Sequence, residues 1–471
     1  MKKNKLTTKL LLLLGFILLS LKVNAQLSLN PDKFLGNITS RGEIDCTDQD
    51  YLDNCGEKFY ELWNQITPEN ESKWGSIEGW TGWDACTNIY NYAKENNILF
   101  KFHTLVWGSQ YPEGIKTLSN ERRYKRIVKW MDKVKEHYPD LQMIDVVNEA
   151  VRDHQEDTHY FQEALGGEGE TGYDWIINAF ELAYERWPDA ILIYNDFNTF
   201  MWNTDDYIDL VKTLRDAGAP IDAYGCQSHD LKGVSLSNLE VVDTKIQNAL
   251  KMPMYISEYD IQNSNDDAQF TDFKNHIPYF WEKDYCAGIT LWGYIYGKTW
   301  NENKSGLIKN GKDRKAMTWL REYMKSDAAK NAKSPFPGMV KEASVYIKPA
   351  SLKVKKGEPL PIEIRAKLKT KTIDHIDLYV QGELYKTLNT EPYTTEFISE
   401  KRGKYELKAV VVATDGTKFE RYSEFTVKGT TGIDNVTAGE KTGKTYNLKG
   451  QQTNANHKGI VIKNGKKYIN K

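Results

Sequence analysis

Two glutamates, Glu149 in MIDVVNEAV and Glu258 in YISEYDI, each close a short run of β-branched and aromatic residues. Runs of this kind read as buried strands, and each carboxylate sits where its strand gives way to loop. A glycosidic bond has a poor leaving group and breaks through a cationic transition state. It needs an acid to protonate the leaving oxygen and a negative charge beneath the anomeric carbon. One protonated and one ionised glutamate are the smallest set of groups that meets both demands. Asn-Glu and Ser-Glu pairs occur in any long chain, so the assignment depends on what stands at the other strand ends.

Eight short apolar runs punctuate residues 30 to 326: FLGNI from Phe34, WNQIT from Trp63, ILFKFHT from Ile98, MIDVVN from Met143, AILIYN from Ala190, IDAYGCQ from Ile221, MYIS from Met254 and AGITLW from Ala287. Between them lie amphipathic stretches such as ACTNIYNYAKENN, ERRYKRIVKWMDKVKEHY, DWIINAFELAYERW and DYIDLVKTLRDAG, the last stopped by Gly218 and Pro220. Eight strand-and-helix repeats over roughly 300 residues predict a (β/α)8 barrel, a fold of typically about 250 residues before insertions. An open doubly wound sheet is the alternative, but it usually carries a Gly-rich first turn, and none is present.

Chemistry in such a barrel gathers at the carboxyl ends of the strands. Those ends carry Glu69, Asn70 and Lys73 after the second strand, His103 and Trp107 on the third, Asn148 and Glu149 on the fourth, and Asn195 and Asp196 on the fifth. Gln227 and His229 follow the sixth, Glu258 and Asp260 the seventh, and Trp292 and Trp300 the eighth. Taken singly, Trp107 or Trp292 reads as core packing, Lys73 as a solvated charge and His229 as a satisfied structural histidine. Independent core or surface roles would not collect all of them at one end.

Other barrel chemistries fit less well. A Schiff-base aldolase needs a lysine pointing in from a strand end, and none of the eight ends supplies one in a central position. Metal-assisted hydrolysis needs clustered His and Asp ligands. His154 and His159, in RDHQEDTHY after the fourth strand, are the sequence-close histidine pair and read as members of a solvated loop. Neither a metal nor another cofactor is expected.

The segments TPENESKW, FHTLVWGSQYP, DVVNEA, YNDFN, CQSHDL, YISEYDI and TLWGYIYGKTW resemble, in order, the motifs of glycoside hydrolase family 10, the (β/α)8 endo-β-1,4-xylanases. The resemblance covers about residues 33 to 324. It implies that Glu149 is the acid/base and Glu258 the nucleophile of a configuration-retaining mechanism. It further implies that Asn148 bonds the 2-hydroxyl at the cleavage subsite and that His229, steadied by Asp260, bonds the nucleophile. Glu69, Asn70, Lys73, His103 and Gln227 would hold neighbouring xylose hydroxyls, and Trp107, Trp292 and Trp300 would wall the site. One departure is Gly108, where many members have histidine. A retaining mechanism sets the two carboxyl groups about 5 to 5.5 Å apart, with the acid/base raised in pKa and the nucleophile kept ionised. The alternatives are another retaining barrel glycosidase, a cellulase or mannanase, and a catalytically silent glycan-binding surface protein.

The chain has 471 residues, enough for a large domain and a small one. Lys2, Lys3, Lys5 and Lys9 precede the apolar run Leu10 to Leu21, and Val23-Asn24-Ala25 offers small residues for cleavage, so residues 1–25 are expected to be a secretory signal. The run is short for a bilayer span of about 20 residues, which argues against stable membrane insertion. With five lysines in that leader, 58 Lys plus Arg face 65 Asp plus Glu in the remainder, a net charge of −7. A mildly acidic protein is a poor partner for nucleic acid, and a monomer is expected. Of the five cysteines, Cys46 and Cys55 share one polar loop and are the expected disulfide, while Cys226 and Cys286 fall in apolar runs and read as buried thiols.

All 13 tryptophans lie between Trp63 and Trp319, so the chain changes character near residue 330. Residues 26–330 are read as the catalytic domain and 331–342, with two prolines and a glycine, as a linker. Residues 343–428 alternate with period two in SVYIKP, PIEIRAKL, HIDLYV, TEFIS, YELKAVVVAT and SEFTVK, predicting six or seven strands. The module resembles the immunoglobulin-like β-sandwiches attached to many polysaccharide-degrading enzymes. It has no tryptophan, and Tyr379, Tyr385 and Tyr393 read as packing residues, so a spacer or stabiliser is expected rather than a sugar-binding module. After a second linker, 429–445, residues 446–471 begin YNLKGQ and include KGIVI, resembling the C-terminal sorting domain read by the type IX secretion system. That resemblance implies passage through the outer membrane and a secreted or cell-surface location.

Overall fold

The computed structural model describes residues 26–39, 55–152, 154–302, 304–429, 445–447, 452–453, 459–463 and 466–470. The expected leader, most of the second linker and Cys46 lie outside the described residues. No helix among the described residues is long and apolar enough to cross a membrane.

Eight parallel strands close into a barrel in chain order: β1 Phe34–Ile38, β2 Gln65–Thr67, β3 Leu99–Trp107, β4 Met143–Asn148, β5 Ile191–Asp196, β6 Ala223–Cys226, β7 Met254–Tyr259 and β8 Cys286–Leu291. Closure comes from β1 pairing with β8, in register from Phe34 with Gly288 to Asn37 with Leu291. Each strand falls on a predicted apolar run, because a strand buried on both faces needs side chains that tolerate water on neither.

The outer helices bury one stripe each. In Asn120–His137 the buried Ile127, Trp130, Met131 and Val134 recur at the three- and four-residue spacing that places them on one face. Asp266–Trp281 starts where the Asn265 side chain accepts from the backbone N–H groups of Asp267 and Ala268, satisfying donors that the first helical turn leaves free. Cys86, Cys226 and Cys286 are buried free thiols, and so is Cys55, which was expected to pair with Cys46.

After a small hairpin, β9 Ile308–Lys309 and β10 Lys312–Asp313, the last barrel helix Lys315–Tyr323 leads to residues 331–342. That stretch, read from its prolines as a linker, is anchored to the barrel at two buried residues, Phe336 and Lys341. Phe336 and Met339 join Phe34, Met143, Ile191 and Tyr255 in the cluster that fills the amino-terminal end of the barrel.

The following module has two sheets around one core. β11 Ala343–Pro349, β13 Leu360–Leu368 and β16 Thr394–Phe397 form one, and β12 Lys353–Lys355, β14 Ile373–Val380, β15 Glu383–Leu388, β17 Gly403–Ala413 and β18 Lys418–Lys428 form the other. That is eight strands, where alternation predicted six or seven. The runs not foreseen, β12 and β15, are edge strands: β15 exposes five of its six residues, so no apolar face marks it. Four more strands, β19 Thr445–Asn447, β20 Gln452–Thr453, β21 Gly459–Lys463 and β22 Lys466–Asn470, make an antiparallel sheet in the lysine-rich tail.

The module sits under the barrel on buried polar contacts. Lys341 Nζ donates to Asp222 Oδ2 at 2.8 Å and to the Ala190 carbonyl at 2.9 Å, and the Tyr346 hydroxyl donates to Asp222 Oδ1 at 2.8 Å. The Arg421 guanidinium donates to the Ile221 carbonyl at 2.8 Å, and the Ser423 hydroxyl to that of Asp216 at 2.9 Å.

Candidate active site

β4 ends at Asn148, and the next residue, Glu149, takes a left-handed backbone conformation with φ of 57°. A non-glycine residue rarely adopts it, so surrounding bonds must hold it there. They come from β5: Glu149 N–H donates to the Asn195 carbonyl at 2.9 Å, and Ala150 N–H to the Tyr194 hydroxyl at 3.1 Å. The turn carries the Glu149 side chain over the barrel mouth.

Glu258 arrives by a different device. The pairing of β7 with β8 slips between Ile256 and Tyr259. Strict alternation would send Ser257 and Glu258 to opposite faces, yet both touch Asn195: the Ser257 hydroxyl donates to its Oδ1 at 2.5 Å, and its Nδ2 donates to Glu258 Oε1 at 2.8 Å. Tyr259 then turns outward to meet Phe273, with ring centroids 5.1 Å apart. A ladder irregularity at a barrel rim thus re-aims one side chain.

Asn195 joins the two carboxylates. Besides Glu258 it bonds Asn148 Oδ1 at 2.8 Å, and Asn148 Nδ2 donates to Glu149 Oε1 at 3.0 Å. Room for it comes from Gly225, where a Cβ would stand 2.5 Å from Asn195 Oδ1. The sequence places Asn195 on the rim without showing this role; the glycine one strand over is the signal that could have found it.

The remaining predicted residues converge on the pair. His229 Nε2 donates to Glu258 Oε2 at 3.2 Å and its Nδ1 to Asp260 Oδ1 at 2.8 Å, and Trp300 Nε1 donates to Asp260 Oδ2 at 2.9 Å. Trp292 stands edge-on to both His229 and His103, at 6.4 and 5.4 Å. On the other flank, Lys73 Nζ donates to Asn70 Oδ1 at 3.0 Å and to Gln110 Oε1 at 2.7 Å, and lies 5.0 Å from the Trp107 ring. Glu69 is buried at the same end, and its charge, with those of Glu258 and Glu149, acts on Lys73. Gln227 Nε2 donates to Glu149 Oε1 at 2.8 Å and Trp107 Nε1 to Oε2 at 2.9 Å.

Electrostatics separate the two glutamates. Burial, joined by the nearby charges of Glu258 and Asp196, pushes the Glu149 carboxyl up despite its hydrogen-bond donors, so it favours the protonated form. Burial pushes Glu258 the same way, but the bond from His229 and the charges of His103, His229 and Lys101 overcome it and hold the carboxyl at about 2. Burial opposes a charge on His229, yet Asp260 and Glu258 raise it to about 10, so it is an imidazolium with both nitrogens donating. Beneath it, Lys101 lies 3.1 Å and His103 Nδ1 2.8 Å from Asp145 Oδ2, all three buried. One carboxyl is thus pushed toward holding its proton and the other toward losing it.

His154 departs from expectation. It is no solvated loop residue: Nδ1 donates to Asp196 Oδ1 at 2.6 Å, Nε2 accepts from Asn203 Nδ2, and the ring stacks on Phe197 at 3.9 Å. The Asp196 carboxylate, also bonded by Tyr194, gives the imidazole a partner that a loop sequence does not reveal. His159 is exposed, with Nδ1 on the Glu156 carbonyl at 2.9 Å. Among the described residues no group of three His, Cys, Asp or Glu could hold a metal ion. A hollow of about 930 Å³ on the β-module, lined by Lys348, Glu363, Tyr385 and Glu396, contains no buried carboxylate.

Fold and rim together define a (β/α)8 protein built around two carboxyl groups whose proton affinities are pushed in opposite directions. The chain belongs to glycosyl hydrolase family 10, whose family model matches residues 31–334. It is 44% identical over 292 residues to endo-1,4-beta-xylanase B of Cellvibrio japonicus, covering 61% of this chain and 45% of that protein. It is 30% identical over 289 residues to endo-1,4-beta-xylanase 1 of Humicola insolens, covering 57% and 64%. The chain thus spans less than two thirds of either relative. The crystal structure of native xylanase 10B from Thermotoga maritima shares the fold, with a TM-score of 0.54 and 23% identity over 63% of this chain and 96% of that one.

Proposed function

We propose that the chain is a secreted, retaining endo-1,4-β-xylanase that cuts internal linkages of xylan by double displacement. The observation that carries this reading is the split in proton affinity between Glu149 and Glu258 across one hydrogen-bonded rim. In the first step Glu258 attacks the anomeric carbon while Glu149 gives its proton to the bridging oxygen, and the aglycone leaves. In the second, Glu149, now a carboxylate, takes a proton from water, which attacks the same carbon and releases Glu258. His229, held by Asp260, keeps the nucleophile ionised. Asn148 bonds the 2-hydroxyl of the cleaved sugar, and Glu69, Asn70, Lys73, His103 and Gln227 bond xylose hydroxyls. Trp107, Trp292 and Trp300 supply the walls, since sugar rings present apolar faces that aromatic rings cover.

The β-module acts as a stabiliser with an immunoglobulin-like two-sheet arrangement, a role supported by its buried contacts to the barrel floor. The sorting role of residues 446–471 is supported by their sequence likeness alone, and removing them should retain the protein inside the cell. For the main reading, the purified protein is expected to release xylo-oligosaccharides from xylan and nothing from carboxymethylcellulose or mannan. Product from those two polymers, or none from xylan, contradicts it.

A further inference from the structure

Glu149 holds more hydrogen-bond donors than an acid can use. Oε1 accepts from Gln227 and Asn148, and Oε2 from Trp107 and from Gln155 Nε2. All four are N–H groups, and each favours the carboxylate over the acid. Three stand on or directly after strands β3, β4 and β6. Gln155 alone comes from the loop beyond β4, folded back over the residue it follows by six positions.

That loop can approach only because residue 108 is glycine. A Cβ there would lie 2.3 Å from Thr158 Oγ1, 2.8 Å from the Thr158 backbone nitrogen and 2.9 Å from Gln155 Cβ. Contacts below 3.0 Å to backbone do not relax by a side-chain rotation, so any side chain at 108 must push the 155–158 turn outward. The glycine and the glutamine are therefore one device: the first opens the space, and the second uses it to reach Oε2.

We propose that Gln155 is a positioning residue for the acid/base, admitted by Gly108, which holds Oε2 and limits the proton affinity of Glu149. This rests on Glu149 being the acid/base. When Glu149 is protonated its O–H needs a direction free of donors. Gln155, partly exposed on a loop, is the donor able to yield, leaving Oε2 to face the bridging oxygen. When Glu149 serves as base, the same N–H returns to stabilise the carboxylate.

The sign of the effect follows. The general acid must be protonated, so kcat/KM on xylan falls as pH rises through the Glu149 pKa. Other charges facing Glu149 are Glu258 on β7, Asp196 on β5, which carries His154, and Lys73 after β2; His229 reaches it through Glu258. None is altered by shortening residue 155. Losing the Gln155 donor destabilises the carboxylate, and the descending limb of the profile should move to higher pH by about half a unit to one unit.

The test is the pH profile of kcat/KM for the full chain and for Gln155→Ala, Gly108→Ala, the double variant and Glu149→Ala. The expected result is a similar upward shift of the descending limb in both single variants and no larger shift in the double, because the two changes remove one contact. Gln155→Ala alters a loop side chain and keeps the test available should Gly108→Ala not fold. A descending limb that stays in place in Gln155→Ala, while Glu149→Ala loses it, overturns the proposal and leaves the acid/base assignment standing. A Glu149→Ala protein with full xylan activity and an intact limb overturns that assignment and the proposal with it.

Discussion

At the carboxyl end of the barrel His229, Asp260 and Glu258 form a buried charged cluster beneath the rim; at the amino end Lys341, Asp222 and Tyr346 form another, beneath the β-module. Both are built from bonds of 2.8 to 3.2 Å to oppositely charged or hydroxyl partners. They differ in what stands over them. Above the first, His229 remains 17% exposed and Trp300 is 49% exposed, so a ligand can reach the groups. Above the second, Lys341 is 2% exposed and its ammonium meets only protein acceptors. The same chemistry thus holds charge at an open rim at one end and ties two domains together at the other. A buried ion pair marks a site only where something outside the protein can complete it.

The comparison is broken most decisively at the proposed nucleophile. Glu258→Ala should lower kcat on xylan by on the order of 10⁴-fold or more in a protein that still folds, since His229 keeps its bond to Asp260. Steady-state kinetics beside a melting curve test both halves.

Lys341→Ala should do the reverse. It leaves Asp222 buried with its cationic partner gone, a loss of about 3 to 5 kcal/mol, while kcat of the folded protein stays within about twofold. Denaturant titration followed by an assay at low temperature separates the two effects. A drop in kcat without a drop in stability would erase the distinction between the two ends.

His229→Gln should act on both properties at the carboxyl end. Without the imidazolium the Glu258 carboxyl rises from about 2, so the ascending limb of the kcat/KM profile moves to higher pH, by about 1 to 2 units. Stability follows linkage. The Glu258 contribution is present above its ordinary 4.5 and is lost as pH falls through about 2; the His229 contribution is full below its ordinary 6.5 and is lost as pH rises through about 10. The melting-temperature gap between parent and variant should therefore be widest between about pH 4.5 and 6.5 and shrink on either side.

The smallest effect is expected at Trp300, half exposed and bonded to Asp260 through its ring nitrogen. Trp300→Ala should cost about tenfold in kcat/KM, equivalent to one ordinary hydrogen bond with its packing. A larger loss would place Trp300 with the charged cluster rather than at its margin.

The strand ends were legible because a barrel strand buried on both faces advertises itself as an apolar run, and Glu149 and Glu258 interrupt two of those runs. Their aim was not legible. It depends on a left-handed residue after β4 and a ladder slip in β7, neither of which has a composition. Asn195 stood on the rim in sequence, but its bridging role needs Gly225 from the neighbouring strand. Residues 331–342 looked like a linker because Pro and Gly mark loops in general. Phe336 and Lys341 make that loop a floor for the barrel, through partners on barrel strands and loops far away in the chain. β15 escaped notice because an exposed edge strand has no apolar face to show.

The opposed roles of Glu149 and Glu258 are tested most directly by the stereochemistry of the new reducing end. Proton NMR of xylohexaose during the first minutes of hydrolysis should show the β-anomer appearing first, with the α-anomer following only as mutarotation proceeds. An α-anomer appearing first would mean a single displacement by water and would contradict the account.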